Sequence, residues 1–344
     1  MTMRELARLA GVSQATISLA LRNHPRISAA TKARVARLVT KHKYVVDGKV
    51  RELMRTIRSH AEGAPTACLG MITFYPEEHP WLNTGRHVHL ARLHRSMVKR
   101  AAELGYRVEP FWVKNPAMKV SRLSGIIESR GIQGLLSLGA PELEEEIPVE
   151  LRRFVIVTQG ASIATKLHRI INHFVHNSTL LLTKLKERGY RRPGVVLQQY
   201  QDGRNAHIMA GMYLYFARYL FDQLEIPILY SGETVEPAEI NQWYRTHRPD
   251  VVIYSDHKKH YQPIVSYFEK SRLVVPRDVG LAVIDAAVHP EGVSGVRTSF
   301  EQMGFSAVDM LVSRLQQGEA GLPRIAKVEC VEGDWVEGVT LRAP

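Results

Sequence analysis

Little in these 344 residues suits a secreted or membrane-embedded chain. The only cysteines are Cys68 and Cys330, too few for a disulfide framework and without the paired spacing of a zinc site. Both stand in apolar stretches, so both are expected to be buried thiols in a reducing compartment. No apolar run reaches about 18 residues, the length a membrane-crossing helix needs. The start, Met1-Thr2-Met3-Arg4-Glu5-Leu6, lacks the apolar stretch of a signal peptide, which points to the cytoplasm. Acids are scarce at one end. The first 60 residues hold only Glu5, Asp47 and Glu52 against thirteen Lys and Arg, so +10 of the chain's net +12 sits in its first sixth. A field of that sign and density attracts a polyanion and makes the affinity depend on salt through counterion release. Over the whole chain, 45% hydrophobic and 23% charged residues are those of a globular protein, long enough for two or three compact units.

The basic segment is patterned as three short helices. Thr2 caps a first helix with Met3, Leu6, Ala7 and Ala10 on one stripe. Gly11-Val12 breaks it, because glycine takes backbone conformations other residues resist. Ser13 caps a second helix with Ile17, Ala20 and Leu21 inward and Gln14, Ala15, Thr16 and Ser18 outward. A helix facing bulk solvent usually shows Lys and Glu there. One that lies in a DNA groove needs short hydrogen-bonding groups and methyls. Asn23-His24-Pro25 ends it, and Ser28 caps a third helix with Val35, Leu38 and Val39 at core spacing, ending near His42 to Tyr44. Two helices across a tight glycine turn, braced by a third, make a helix-turn-helix unit.

Met3 through Ser18, with Pro25-Arg26-Ile27-Ser28 after it, resembles the headpiece of the lactose-repressor (LacI/GalR) family. The resemblance implies that Gln14 and Ala15 read base edges, with Thr16 and Ser18 beside them. It places Ser13, Asn23 and Arg26 on phosphates and counts Thr2 among the DNA-binding residues. Leu19 departs from the basic or polar residue common there. Asp47 to Arg55 resembles the family's hinge segment, in which Val50 and Leu53 would touch DNA. Leu53 matches a leucine wedged into the minor groove at the operator centre, where it would kink the duplex. The other reading is that Leu53 packs inside a longer helix running to Ile57. Gly48 weakens a free hinge helix by about 0.5–1 kcal/mol relative to alanine, which favours ordering on DNA.

From Thr66 the pattern becomes strands alternating with helices, the mark of parallel sheets buried on both faces. Strands are expected at 67–74, 107–113, 134–138, 154–157, 194–197, 251–254 and 280–284. Glu187-Arg188-Gly189-Tyr190, Arg248-Pro249-Asp250-Val251 and Val275-Pro276-Arg277-Asp278-Val279-Gly280 extend the resemblance across this region. It implies an α/β periplasmic-binding-protein-like core of two parallel-sheet subdomains behind an all-α helix-turn-helix headpiece. The expected division is 1–46 headpiece, 47–65 hinge and linker, and 66–344 core, with both subdomains discontinuous because the chain crosses twice between them.

The resemblance also implies a small-molecule effector, possibly a sugar, in the cleft between the subdomains. Asp256 and Asp285, each just past a strand, would accept hydrogen bonds from its hydroxyls, and Trp81 would stack on it. The alternatives are acids that cap helices and a tryptophan that packs in the core. The arginine expected three residues before a glycine is Ile208 ahead of Gly211, with Arg204 and His207 nearby. His79, His87, His89, His94, His168, His173 and His176 repeat no metal-site spacing, so no metal and no cofactor are expected. His173 and His176 would share a face if their segment is helical.

No phosphate-cradling glycine loop, nucleophile elbow or paired acids suggest an enzyme. The expected function is a homodimeric, nucleoid-associated transcription regulator, a repressor binding double-stranded operator DNA. The rival classes are a ligand-independent repressor, a solute receptor and a sugar hydrolase. The basic headpiece weighs against the last two.

Overall fold

The computed structural model describes residues 3–21, 27–42, 67–222, 225–232, 234–255, 260–284 and 291–344. Three helices come first: α1 (Met3–Ala10), α2 (Gln14–Leu21) and α3 (Ala29–Lys41). Leu6, Ala7, Ala10, Ile17, Ala20 and Val35 close a small core, with Val12, Ile27, Leu38 and Val39 packed against it. Of the apolar stripes read from the sequence, Leu6, Ala7, Ala10, Ile17, Ala20 and Val35 are buried.

The turn after α1 follows from Gly11, whose φ is +65°. Its N–H donates to the Arg8 carbonyl at 3.2 Å, and the Val12 N–H donates to the Ala7 carbonyl at 3.1 Å. This pair satisfies carbonyls that the helix end would orphan, and it turns Val12 back onto the core. Ser13 and Ser28 then open the next two helices, accepting from the Thr16 N–H at 3.1 Å and the Thr31 N–H at 3.3 Å.

The rest of the described chain builds two six-stranded sheets. The first contains β1 (Ala67–Thr73), β2 (Tyr106–Trp112), β3 (Gly134–Ser137), β4 (Val155–Gln159), β5 (His168–Asn172) and β11 (Val328–Val331), in the order β11-β5-β4-β3-β1-β2. Every neighbouring pair in it is parallel. Around it lie α4 (Thr84–Glu103), α5 (Val120–Ser129) and α11 (Phe300–Gln316). In β1, Leu69 and Met71 join one core cluster while Ile72 joins the other, so both faces are covered. That is why the strand reads as a continuous apolar run.

The second sheet contains β6 (Pro193–Gln198), β7 (Ile228–Ser231), β8 (Val251–Tyr254), β9 (Gly280–Val283), β10 (Ser294–Arg297) and β12 (Asp334–Val336), in the order β12-β10-β9-β8-β6-β7. With it go α6 (Phe174–Glu187), α7 (Gln199–Arg204), α8 (Ile208–Leu220), α9 (Pro237–His247) and α10 (Gln262–Lys270).

Both subdomains hold the expected parallel sheets, with one antiparallel pair, β12 against β10, at the edge of the second. Two expectations need correction. The chain passes between the subdomains three times rather than twice: from β5 into α6, from β10 into α11 and from β11 into β12. Two crossings are tied together, since the His173 N–H donates to the Val331 carbonyl at 2.8 Å and the Gly333 N–H to Asn177 Oδ1 at 2.8 Å. Finally, Cys68 is half-buried and Cys330 exposed. Cys330 lies on β11, an edge strand with its first three residues exposed, so its apolar neighbours do not carry it inside. Among the described residues no helix is long and apolar enough to cross a membrane.

Candidate DNA-binding face and ligand cleft

On the three-helix unit, α2 carries no charged residue, and Gln14 at its first turn is exposed. Arg8 on α1 and Arg34, Arg37 and Lys41 on α3 are exposed. A neutral helix in a cationic three-helix unit suits reading of base edges while cations meet phosphates. Ser13 is exposed, and its Oγ lies 2.9 Å from Thr16 Oγ1 as well as accepting the Thr16 N–H. The two hydroxyls therefore form one small polar unit at the helix start, and Thr16 is half-buried. Leu19 is also half-buried. Ala15 and Ser18 fall within α2, but their side chains lie outside the described residues, as do Thr2, Asn23, Arg26, Val50 and Leu53 in full.

In the core, α7 of the second subdomain meets the first through Arg204, whose Nη2 donates to the Ala140 carbonyl just past β3 at 2.7 Å. Tyr75, just past β1, is buried and also hydrogen-bonds Arg204. Burial raises the phenol's pKa, and the nearby guanidinium opposes the rise. The Tyr75 carbonyl accepts from Trp112 Nε1 at 2.9 Å, which fixes the loop after β1. His87 meets the Tyr75 ring edge-on at 5.2 Å and the His89 ring at 6.1 Å. Burial, then His87, then Arg204 lower the His89 pKa from 6.5 to about 4.

Asp202 anchors α7 from within. Its carboxylate is fully buried, accepts the Ala210 N–H at 3.2 Å and pairs with His207 Nδ1 at 3.0 Å. It stands two residues before Arg204 on the same six-residue helix. Sequence reasoning noticed Arg204 but missed Tyr75 and Asp202, whose importance depends on which elements the fold brings together.

Trp81 lies in the first subdomain's core cluster, only 8% exposed, with one ring face stacked on His94 at 4.4 Å and 5°. Asp256 and Asp285 lie outside the described residues. The other histidines have separate tasks. His168 is buried against Glu319 at 2.8 Å and accepts the Lys327 N–H at 3.0 Å. His173 caps α6 by accepting the His176 N–H at 3.2 Å, so the two meet across a cap instead of sharing a helical face.

Residues 2–47 match the family described as bacterial regulatory proteins, lacI family, and residues 182–334 match the periplasmic binding protein-like domain. The chain belongs to the lacI family. It is thus a DNA-binding transcription regulator with a helix-turn-helix region ahead of an α/β core.

No curated protein matches this LacI-family chain. Solved structures do. The lac repressor dimer bound to operator and the anti-inducer ONPF has TM-score 0.59 and 14% identity, over 100% of this chain and 99% of that one. The CelR–cellobiose complex has TM-score 0.57 and 15% identity, over 99% of each chain. CcpA of Lactococcus lactis has TM-score 0.56 and 12% identity, over 81% of this chain and 100% of that one. At such identities the likeness is one of fold.

Proposed function

We propose that this regulator is a homodimeric repressor whose two α2 helices enter successive major grooves of a pseudo-palindromic operator. Its affinity for that operator responds to a small, sugar-like effector held between the core subdomains. The observation that carries the reading is α2: an uncharged helix, Gln14 exposed at its start, on the one strongly cationic module.

In this proposal Gln14 and Ala15 read bases, Thr16 and Ser18 flank them, and Thr2, Ser13, Asn23 and Arg26 hold the backbone. Val50 and Leu53 meet the central minor groove. Asp256 and Asp285 accept hydrogen bonds from the ligand, and Trp81, largely buried in the core, joins them only through what little of it is exposed. Structures of like fold carrying operator DNA, ONPF or cellobiose support both halves of the reading. The protein works in the cytoplasm, where its DNA is. An effector acts only through unequal affinity for the two subdomain arrangements.

The test is selection of genomic fragments by the full-length protein at low salt. One enriched sequence with two related half-sites is the expected outcome. Retention no better than that of random competitor DNA would remove the regulator's proposed operator and the repressor reading with it.

A further inference from the structure

Arg204 spans the cleft with only neutral partners. Its donors meet the Ala140 carbonyl at 2.7 Å and the Tyr75 hydroxyl, and its guanidinium lies 5.6 Å from the Tyr200 ring centre. The residue is half-buried, and among the described residues no carboxylate forms an ion pair with it. His87 and His89 lie beside Tyr75, and burial first, then His87 and Arg204, keep His89 uncharged down to about pH 4. Glu77 lies close enough to raise the Tyr75 pKa.

We propose that the effector of this cleft carries an oxyanion, a carboxylate or a phosphate, and that Arg204 binds it. The inference rests on the reading of the cleft as an effector site and narrows its ligand to a sugar acid or sugar phosphate type. A guanidinium fork matches two oxygens of either group, and a bond to a charged acceptor is roughly twice as strong as one to a neutral acceptor. An arriving oxyanion therefore draws Arg204 away from Ala140 and Tyr75. Asp202 keeps α7 in place meanwhile, so the change is confined to the arginine and what it bridged. Loss of the Arg204–Ala140 bond removes a direct link between the subdomains, and this gives the ligand a hold on their arrangement.

The experiment melts the full-length protein in potassium phosphate, potassium gluconate or potassium chloride at one ionic strength and pH. Phosphate or gluconate should raise the wild-type melting temperature by about 3 °C or more over chloride. Arg204→Gln should lose that excess. Arg245→Gln, which removes a cation from α9 at the opposite end of the same subdomain, should keep it. A phosphate-only response assigns a phosphoryl ligand, and a gluconate-only response a carboxylate.

No excess in the wild type, or an equal excess in Arg204→Gln, overturns the proposal. Should Arg204→Gln not fold, phenylglyoxal labelling of the wild type decides. The stabilising anion should slow modification of Arg204 about tenfold relative to Arg245, and equal labelling overturns the assignment. Stabilisation by neutral cellobiose with no response to either anion also overturns it, yet leaves the effector reading standing.

Discussion

At single residues, chemistry and position can be separated by substitution. Gln14 is exposed at the start of an uncharged helix, where its amide offers a donor and an acceptor together. Gln14→Ala should cost about 1–3 kcal/mol at one base pair of each half-site, measured on operators altered one position at a time. A uniform loss over all sequences would instead mark a phosphate contact. His89 bears on stability rather than binding. Its folded pKa of about 4 lies below the ordinary 6.5, so between those values the unfolded chain binds the extra proton. The His89 contribution is therefore intact above about pH 6.5 and is lost as pH falls toward 4. Melting curves across that window should be flatter for His89→Gln than for the wild type. His173 caps α6 through Nδ1, so His173→Ala should lower stability by about 1 kcal/mol and His173→Asn should restore much of it.

Among the elements, α4 and α11 make the closest helix pair around the first sheet, and Gly304 allows it. A Cβ there would run into Ser96 Oγ and sit 3.0 Å from the Leu93 carbonyl. Both of those groups lie on α4, and Ser96 Oγ already donates to that carbonyl at 2.9 Å. Gly304→Ala should thus destabilise the chain by about 1–3 kcal/mol, read as a lower urea midpoint. The strands divide by how much apolar surface they carry. β1, β3, β4, β6, β8 and β9 were legible because burial on both faces demands apolar runs. The edge strand β2 was legible as well, whereas β5, β7, β10, β11 and β12 were not. Ser294-Gly295-Val296-Arg297 is too polar to read as a strand, and β7, β11 and β12 sit at sheet edges where one side meets water. Their strand character comes from the neighbour they pair with.

For the whole molecule, the uneven charge sets how it meets DNA. Nearly all the net positive charge lies in the first 60 residues, so phosphate neutralisation is expected from that segment. If six or more phosphates are contacted by the dimer, raising salt from about 50 to 200 mM should weaken operator binding by about 10³-fold or more. A fluorescence-anisotropy titration at several salt concentrations measures this, and a flat response would mean that few phosphates are held. The three crossings between subdomains lie close to one another. At Gly333 a Cβ would lie 2.7 Å from the Arg297 carbonyl and 3.1 Å from Asn177 Nδ2, so side-chain bulk at one crossing presses on another.

What the sequence by itself determined was local: helix caps at Ser13 and Ser28, the glycine turn, the neutral outer face of α2, the cationic setting and the apolar strands. Each depends on residues within a few positions of one another, where spacing alone fixes which side chains share a face. The partners of Arg204, the packing of Trp81 against His94 and the pairing of edge strands were decided only by tertiary structure. They join residues from separate strands and helices, and burial, unlike periodicity, depends on what the rest of the chain places there.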